Sequence, residues 1–284
     1  MVRRLLTTSA WSRVTRGVYD TDPTPVARRP ADRRRRRAAW AALLAFGPRS
    51  IAVGPCALAL LDVAGLPSRV APEAALPGGR ALESRDGIRL RMFDDGMTVV
   101  RVGDRHVASP EWALAQAVPE LDREPAISVM DSALHLGLVD ASGLDRAHDH
   151  ARGRRGVART HGWWELADGR SESPLETWAR LDCMDGGVPP DELQVELTGA
   201  SGARRRADLG WRLDDGRWLV AEVDGAEIHD TPAAAFADRA RHNDLVTAEV
   251  AAVLRFTWHD VRTPGVTARA VRRALQAAGR RRAA

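Results

Sequence analysis

The stretch Arg206-Ala-Asp-Leu-Gly-Trp-Arg-Leu213, Asp214-Asp-Gly216, Arg217-Trp-Leu-Val-Ala-Glu-Val-Asp224 predicts a β-hairpin, because a three-residue loop ending in glycine commonly joins antiparallel strands. If residues 213 and 217 flank the loop, Asp208 lies directly opposite Glu222. Strand alternation then places Glu222 and Asp224 on one face of the sheet. Three carboxylates would therefore converge on a small patch.

This carboxylate patch needs compensation, because like charges directly opposite each other destabilise a sheet. A divalent cation would supply it, and carboxylate oxygens suit Mg²⁺ or Mn²⁺. Two alternatives stay open. An arginine, either Arg206 or Arg212, would neutralise the patch, or a register shift by one residue would separate Asp208 from Glu222.

The segments around the hairpin predict a mixed α/β unit. Ser173-Pro-Leu-Glu176 begins a helix, with serine as N-cap, proline at the first helical position and Glu176 at the third. This capping role is a sufficient reason for Glu176 and does not exclude a catalytic one. The other predicted elements are strands at 193–198, 204–213, 217–223 and 251–257, and helices at 231–247 and from about 266.

Several motifs follow one another over about residues 171–278: Ser173-Pro-Leu-Glu176, Arg206-Ala-Asp208-Leu, Val220-Ala-Glu222-Val-Asp224-Gly225, His229, Asp238-Arg-Ala-Arg241 and Leu254-Arg-Phe-Thr-Trp258. In this order they resemble the nuclease-like domain related to very-short-patch-repair endonucleases, in the PD-(D/E)XK superfamily. The resemblance implies a restriction-endonuclease-like αβββαβ core. It also implies that Asp208 and Glu222 bind the metal, that Glu176 is the acid of the first helix, and that His229 is a site histidine. Asp224 stands where the superfamily usually has lysine.

The activity implied by this resemblance is Mg²⁺- or Mn²⁺-dependent hydrolysis of DNA phosphodiester bonds, in repair or defence. Asp224 would be a further ligand or orient the attacking water, and His229 would assist proton transfer or bind phosphate. Arg204, Arg205 and Arg206 either counter phosphate charge or form an exposed basic strand edge. The alternative function is a non-catalytic DNA-binding transcriptional regulator, or a type IV antitoxin-like protein, that keeps the nuclease fold.

The N-terminal part of the chain predicts short strands at 88–93 and 97–102 and helices at 31–46, 55–64, 110–118, 125–137 and 141–151. Trp11-Ser-Arg-Val-Thr-Arg-Gly-Val-Tyr19 resembles the end of the winged helix in AbiEi-type antitoxins of actinobacteria. Only ten residues precede Trp11, fewer than the helix-turn-helix before such a wing needs. We therefore expect a truncated winged-helix remnant, or a start codon assigned too far downstream. The expected domains are 1–66, an α+β middle region at 67–160, and the nuclease-like domain at 171–278.

Composition narrows the chemistry further. All 42 basic residues are arginine, which excludes any mechanism that needs a lysine. Residues 1–40 carry a net charge of +8 and residues 269–284 carry +6, so the body between them is acidic. Positive charge at the chain ends indicates either a protein that binds nucleic acid or solvated tails. The five arginines at residues 33–37 likewise either contact phosphates or form a solvated helix face. No apolar run approaches the length of a membrane span, and Cys56 and Cys183 are far apart, so we expect a cytoplasmic protein without a membrane partner.

Overall fold

The computed structural model describes residues 11–78, 83–224 and 250–278. The chain divides into two compact units, residues 1–169 (unit 1) and 170–284 (unit 2). Both combine helices with β-sheets, so the mixed α/β class predicted from the sequence is confirmed. Across the described ranges, every helix is too short or too polar to cross a bilayer.

Unit 1 contains short strands and a set of helices. Its strands are β1 (Ser12–Thr15), β2 (Val18–Asp20), β3 (Ile51–Ala52), β4 (Glu73–Ala75), β5 (Arg89–Arg91), β6 (Val99–Val102) and β7 (Arg105–Ala108). Its α-helices are α1 (Ala31–Phe46), α2 (Gly54–Leu60), α3 (Pro110–Ala117), α4 (Arg123–His135), α5 (Ala141–Ala151) and α6 (His161–Trp164). The predicted helices at 31–46, 110–118 and 141–151 are confirmed to within one residue.

A five-stranded sheet in the order β5-β4-β3-β7-β6 organises unit 1. Its central strand, β3, pairs antiparallel with β4 and parallel with β7. The expected boundary at residue 66 therefore falls between strands of one sheet: β3 precedes it, whereas β4 and β7 follow it. In the structure, the regions 1–66 and 67–160 both contribute to this sheet.

A separate hairpin of β1 and β2 turns at Gly17, whose φ of 78° lies in the left-handed region that favours glycine. Asp20, at the end of β2, is held by Arg29 at 2.8 Å and by Arg37 of α1. Burial of the Asp20 carboxyl opposes its ionisation, but these guanidinium hydrogen bonds outweigh the burial and lower its pKa. The hairpin is therefore fastened to α1 by a charged contact.

Unit 2 consists of α7 (Pro174–Asp185), β8 (Glu192–Thr198), β9 (Arg204–Arg212), β10 (Trp218–Asp224), β11 (Val250–Thr257), α8 (Trp258–Arg262) and α9 (Val266–Ala277). The sheet order is β11-β10-β9-β8, with β10 and β11 parallel and the other pairs antiparallel. The predicted strands and the first and last helices are confirmed, whereas the short helix α8 was not predicted. The predicted helix at 231–247 and the candidate His229 lie outside the described residues.

The sheet of unit 2 buries side chains on both faces. Leu209, Trp211 and Leu219 pack with residues of α7 and α9, and the buried Trp211 indole N–H donates to the Val188 carbonyl at 3.1 Å. A second cluster contains Val220 of β10 together with Val195, Leu197, Ala207 and Val250. Because side chains alternate along a strand, Glu222 shares the face of Val220, opposite Leu219.

Candidate functional site

The β9–β10 hairpin has the register that the sequence predicts. Trp218 pairs with Arg212 and Ala221 pairs with Leu209. Continuing that register sets Asp208 opposite Glu222. Beyond the last ladder pair, Asp208 Oδ2 accepts a hydrogen bond from the Val223 N–H at 2.7 Å. Asp208 therefore replaces a backbone acceptor at the end of the ladder, and the pairs from Trp218 to Ala221 show no one-residue register shift, which was the alternative.

Glu222 faces an arginine on the parallel strand β11. It pairs in register with Arg255, and the Arg255 Nε lies 3.5 Å from Glu222 Oε2 and 3.3 Å from Asp224 Oδ2. Glu222 is only 4% exposed, and a buried carboxylate is normally paired with a positive group. In the part of the chain that the structure describes, Arg255 therefore lies against both carboxylates, and the sequence did not single it out.

The two arginines expected to neutralise the patch have other partners. Arg206 forms an ion pair with Glu172 at 2.6 Å. The Arg212 guanidinium lies over the Trp218 ring, 4.8 Å from its centroid. Among the described contacts, Arg206 and Arg212 therefore have partners other than the carboxylates of Asp208 and Glu222.

Glu176 is the third residue of α7, and only half of the expected capping box forms there. The Ser173 hydroxyl accepts from the Glu176 N–H at 3.2 Å, as an N-cap should. In a complete capping box the Glu176 carboxylate would accept from the Ser173 N–H. Here Glu176 Oε2 accepts instead from the Glu172 N–H, at 2.9 Å. Burial raises the pKa of the Glu176 carboxyl, and the Glu172 N–H opposes that rise. Glu176 is therefore a buried, hydrogen-bonded acid at the edge of the sheet.

Gln194 of β8 connects Glu176 to the row of strand residues. Its Nε2 donates to Glu176 Oε2 at 2.8 Å. In the β8–β9 ladder, Leu193 pairs with Leu209 and Val195 pairs with Ala207, so Gln194 stands opposite Asp208. One line across the four strands therefore reads Gln194, Asp208, Glu222 and Arg255. Sequence reasoning missed Gln194 because glutamine carries no motif of its own.

An open cleft of about 390 Å³ adjoins Asp208. Its lining consists of Glu196, Arg204, Arg205, Arg206 and Asp208. The Arg206 ion pair with Glu172 links this cleft to Glu176, whose carboxylate accepts from the Glu172 N–H. The three consecutive arginines therefore line this open cleft together with Asp208.

Within the described ranges, no three or more His, Cys, Asp or Glu side chains are arranged to hold a metal ion. Asp208 and Glu222 supply two carboxylates, and Asp224 lies against Arg255. Cys183 is buried in the helix-side core of unit 2, and desolvation raises the pKa of its thiol to about 12. That thiol is therefore a packing group and not a nucleophile or ligand.

The arginine run of α1 makes intramolecular contacts. Arg35 donates to the Pro67 carbonyl at 2.9 Å, Arg36 pairs with Asp62, and Arg37 pairs with Asp20. These contacts fasten α1 to the β1–β2 hairpin and to the segment after α2. Much of the positive charge of this run is therefore balanced within unit 1.

Two curated proteins of Mycobacterium tuberculosis are similar to this chain: uncharacterized protein MT2308 of strain CDC 1551 / Oshkosh and uncharacterized protein Rv2248 of strain H37Rv. Each is 35% identical over 146 residues, which is 51% of this chain and 53% of the relative. The chain thus matches about half the length of these relatives. No family model matches the chain. No solved structure matches it at a significant level.

Proposed function

We propose that residues 171–278 form a Mg²⁺- or Mn²⁺-dependent DNA endonuclease domain, with the restriction-endonuclease-like core that its motifs resemble. The observation that carries the proposal is the line of Asp208 and Glu222 on adjacent strands, with the buried Glu176 joined to it through Gln194. The arginine cleft beside Asp208 supports a phosphate-bearing substrate.

The donor set suits Mg²⁺. This ion is commonly held by one or two carboxylates, with water and substrate phosphates completing its coordination, so Asp208 and Glu222 are sufficient protein ligands. When bound there, the metal would polarise the phosphate and lower the pKa of a coordinated water. Arg255 opposes metal binding at this site, because its positive charge lies within 3.5 Å of Glu222 Oε2.

The residues around Asp208 and Glu222 have different proposed roles. Arg204 and Arg206 would attract and orient the DNA backbone at the cleft, since guanidinium groups match phosphate oxygens. Glu176, whose pKa is raised chiefly by burial, would take or release a proton near the reacting phosphate. Asp224 is held by Arg255, so we propose an orienting role for it rather than a ligand role. The role proposed for His229 rests on the motif alone.

The deciding experiment is nicking of supercoiled plasmid in Mg²⁺ or Mn²⁺ by the wild type, Asp208→Asn and Glu222→Gln. Glu192→Gln, the same type of change at an exposed acid of β8, is the matched control. We expect cleavage by the wild type and the control and a loss of at least about 10²-fold in the two site variants. No cleavage by the wild type in either metal, or full cleavage by both site variants, would contradict the proposal.

A second candidate function is a DNA-binding regulator or antitoxin-like protein without catalysis. The observation that favours it is Arg255, which already compensates Glu222 and Asp224 and leaves less need for a cation. The β1–β2 hairpin, whose sequence resembles the end of a winged helix, adds a DNA-binding element to this candidate.

This candidate is tested by a mobility shift on the DNA upstream of the protein's own gene across a salt series. Binding by the wild type that weakens with salt and persists in Asp208→Asn and Glu222→Gln, without nicking, is the expected result. Absence of salt-sensitive binding would exclude it.

A further inference from the structure

Gln194 has a backbone conformation that is rare for its residue type. Its φ is 56°, in the left-handed region, where a residue with a Cβ is strained. Such a conformation is strained and persists only where surrounding contacts enforce it. The ladder pairs on either side of Gln194 form, and the facing strand β9 changes face at the same step, since Leu209 packs with α7 and α9 whereas Ala207 packs with Val220.

The distortion changes which face β8 presents. Residues two apart in a regular strand share a face. In β8, however, Leu193 packs in the cluster with α7 and α9, whereas Val195 packs in the cluster with Val220. The turn of the backbone at Gln194 thus directs its side chain towards α7, where its Nε2 reaches Glu176 Oε2 at 2.8 Å.

The other end of the Gln194 amide lacks a donor. Its Oε1 is buried and accepts no hydrogen bond from any residue that the structure describes. Reversing the amide would set two acceptors against each other at Glu176, so the orientation is determined by the carboxylate. A buried acceptor left without a donor lowers the stability of the fold. The site therefore contains an acceptor that is ready for a donor from outside the fold, and water is the smallest one.

We propose that Gln194 is a positioning residue of the nuclease site: its N–H holds the Glu176 carboxylate, and its Oε1 accepts a hydrogen bond from the water that attacks the phosphodiester. This inference rests on the proposed function. In the hydrolysis, the water oxygen bonds to phosphorus and the P–O bond to the leaving sugar oxygen breaks. One water proton passes to a carboxylate or solvent, and the leaving oxygen takes up a proton. Opposite Asp208, Gln194 fixes where the water's other hydrogen points.

The test compares Gln194→Leu with the wild type and with Gln276→Leu, the same change at an exposed residue of α9. Steady-state plasmid nicking should show a fall in kcat on the order of 10²-fold for Gln194→Leu, with KM for DNA within about twofold. Gln194→Asn is the second variant. Asparagine tolerates positive φ, so this variant should fold more readily than Gln194→Leu. Its side chain is one methylene shorter than that of glutamine, so the variant should lose kcat in the same way.

A readout without metal or substrate separates positioning from general support. In metal-free protein labelled at glutamate side-chain carboxyl carbons, NMR titration follows the Glu176 carboxyl. Loss of the Gln194 N–H removes a bond that favours the ionised form, so the Glu176 midpoint should move to higher pH in both Gln194 variants and stay in place in Gln276→Leu.

The outcomes distinguish the two proposals. Reduced kcat with unchanged KM and a raised Glu176 midpoint supports the role of Gln194. Cleavage by the wild type with kcat retained in both Gln194 variants overturns that role and leaves the endonuclease proposal in place. Absence of cleavage by the wild type in Mg²⁺ and Mn²⁺ overturns both.

Discussion

Removing Asp208 should have two separable effects, because its carboxylate also serves as a backbone acceptor. Asp208→Ala leaves the Val223 N–H, 2.7 Å from Oδ2 in the wild type, without its acceptor. Val223 is half-buried, so we expect a loss of about 1–2 kcal/mol in the free energy of unfolding of unit 2. For a unit of this size the corresponding fall in Tm is about 4–8 °C.

Asp208→Asn is the informative comparison. The asparagine carbonyl still accepts from the Val223 N–H, and the variant no longer sets two like charges opposite each other beside Glu222. We expect its unfolding free energy to stay within about 0.5 kcal/mol of the wild type. On the proposed function, titration calorimetry should nevertheless show Mn²⁺ binding by the wild type and its loss in both variants.

Urea unfolding gives the overall effect, and hydrogen exchange of the Val223 amide isolates the local one. The amide should exchange about tenfold faster for each 1.4 kcal/mol lost in Asp208→Ala and at nearly the wild-type rate in Asp208→Asn. Equal destabilisation of the two variants, or a Val223 amide that is unaffected in Asp208→Ala, would refute the assignment of a structural hydrogen bond to this carboxylate.

Three further predictions concern pH and backbone geometry. Burial raises the pKa of Glu176, so its contribution to stability is complete below the unfolded value near 4.5 and is lost as pH rises through the folded pKa; urea unfolding of Glu176→Gln should show a weaker fall across that range. The pKa of Asp20 is lowered, since hydrogen bonds from Arg29 and Arg37 outweigh its burial. Its contribution is therefore present above the unfolded value near 3.8 and lost as pH falls through the folded pKa, and Asp20→Asn should remove this acid dependence in the same assay. Gly65→Ala should cost about 2–4 kcal/mol, because its φ is 96° and a Cβ would lie 2.5 Å from the Ser128 Cβ; calorimetry should show only about 1 kcal/mol for Gly47→Ala, which has positive φ but open space. Equal costs for the two alanine variants would contradict the steric argument.

The parts of unit 2 that the sequence predicted are those with local signals. The turn at residues 214–216 determines the register of β9 and β10, and this register follows from counting along the chain. The start of α7 is also predicted by neighbouring residues, because Ser173 is a typical N-cap and Pro174 suits the first helical position. Both features depend on residues that are neighbours in sequence.

The parts that sequence reasoning missed depend on contacts between distant segments. Arg255 lies beside Glu222 because β11 pairs in parallel with β10 at one particular register, and a parallel pair has no tight turn from which to count. Gln194 reaches Glu176 through a backbone distortion that no residue pattern predicts. In unit 1, strands such as β3 and β4 have two or three residues, which is too short for a period-2 pattern to emerge.

The parallel pairing of β10 with β11 also predicts the order in which the parts of the site form during folding. The β9–β10 hairpin closes a short loop and can form in microseconds, whereas the pairing with β11 must wait for a long-range closure. During synthesis, β10 likewise leaves the ribosome before β11. We therefore expect Asp208 and Glu222 to be brought together before Arg255 pairs with β10. Divalent cations should therefore accelerate this stage of folding, whether or not the finished protein retains a metal.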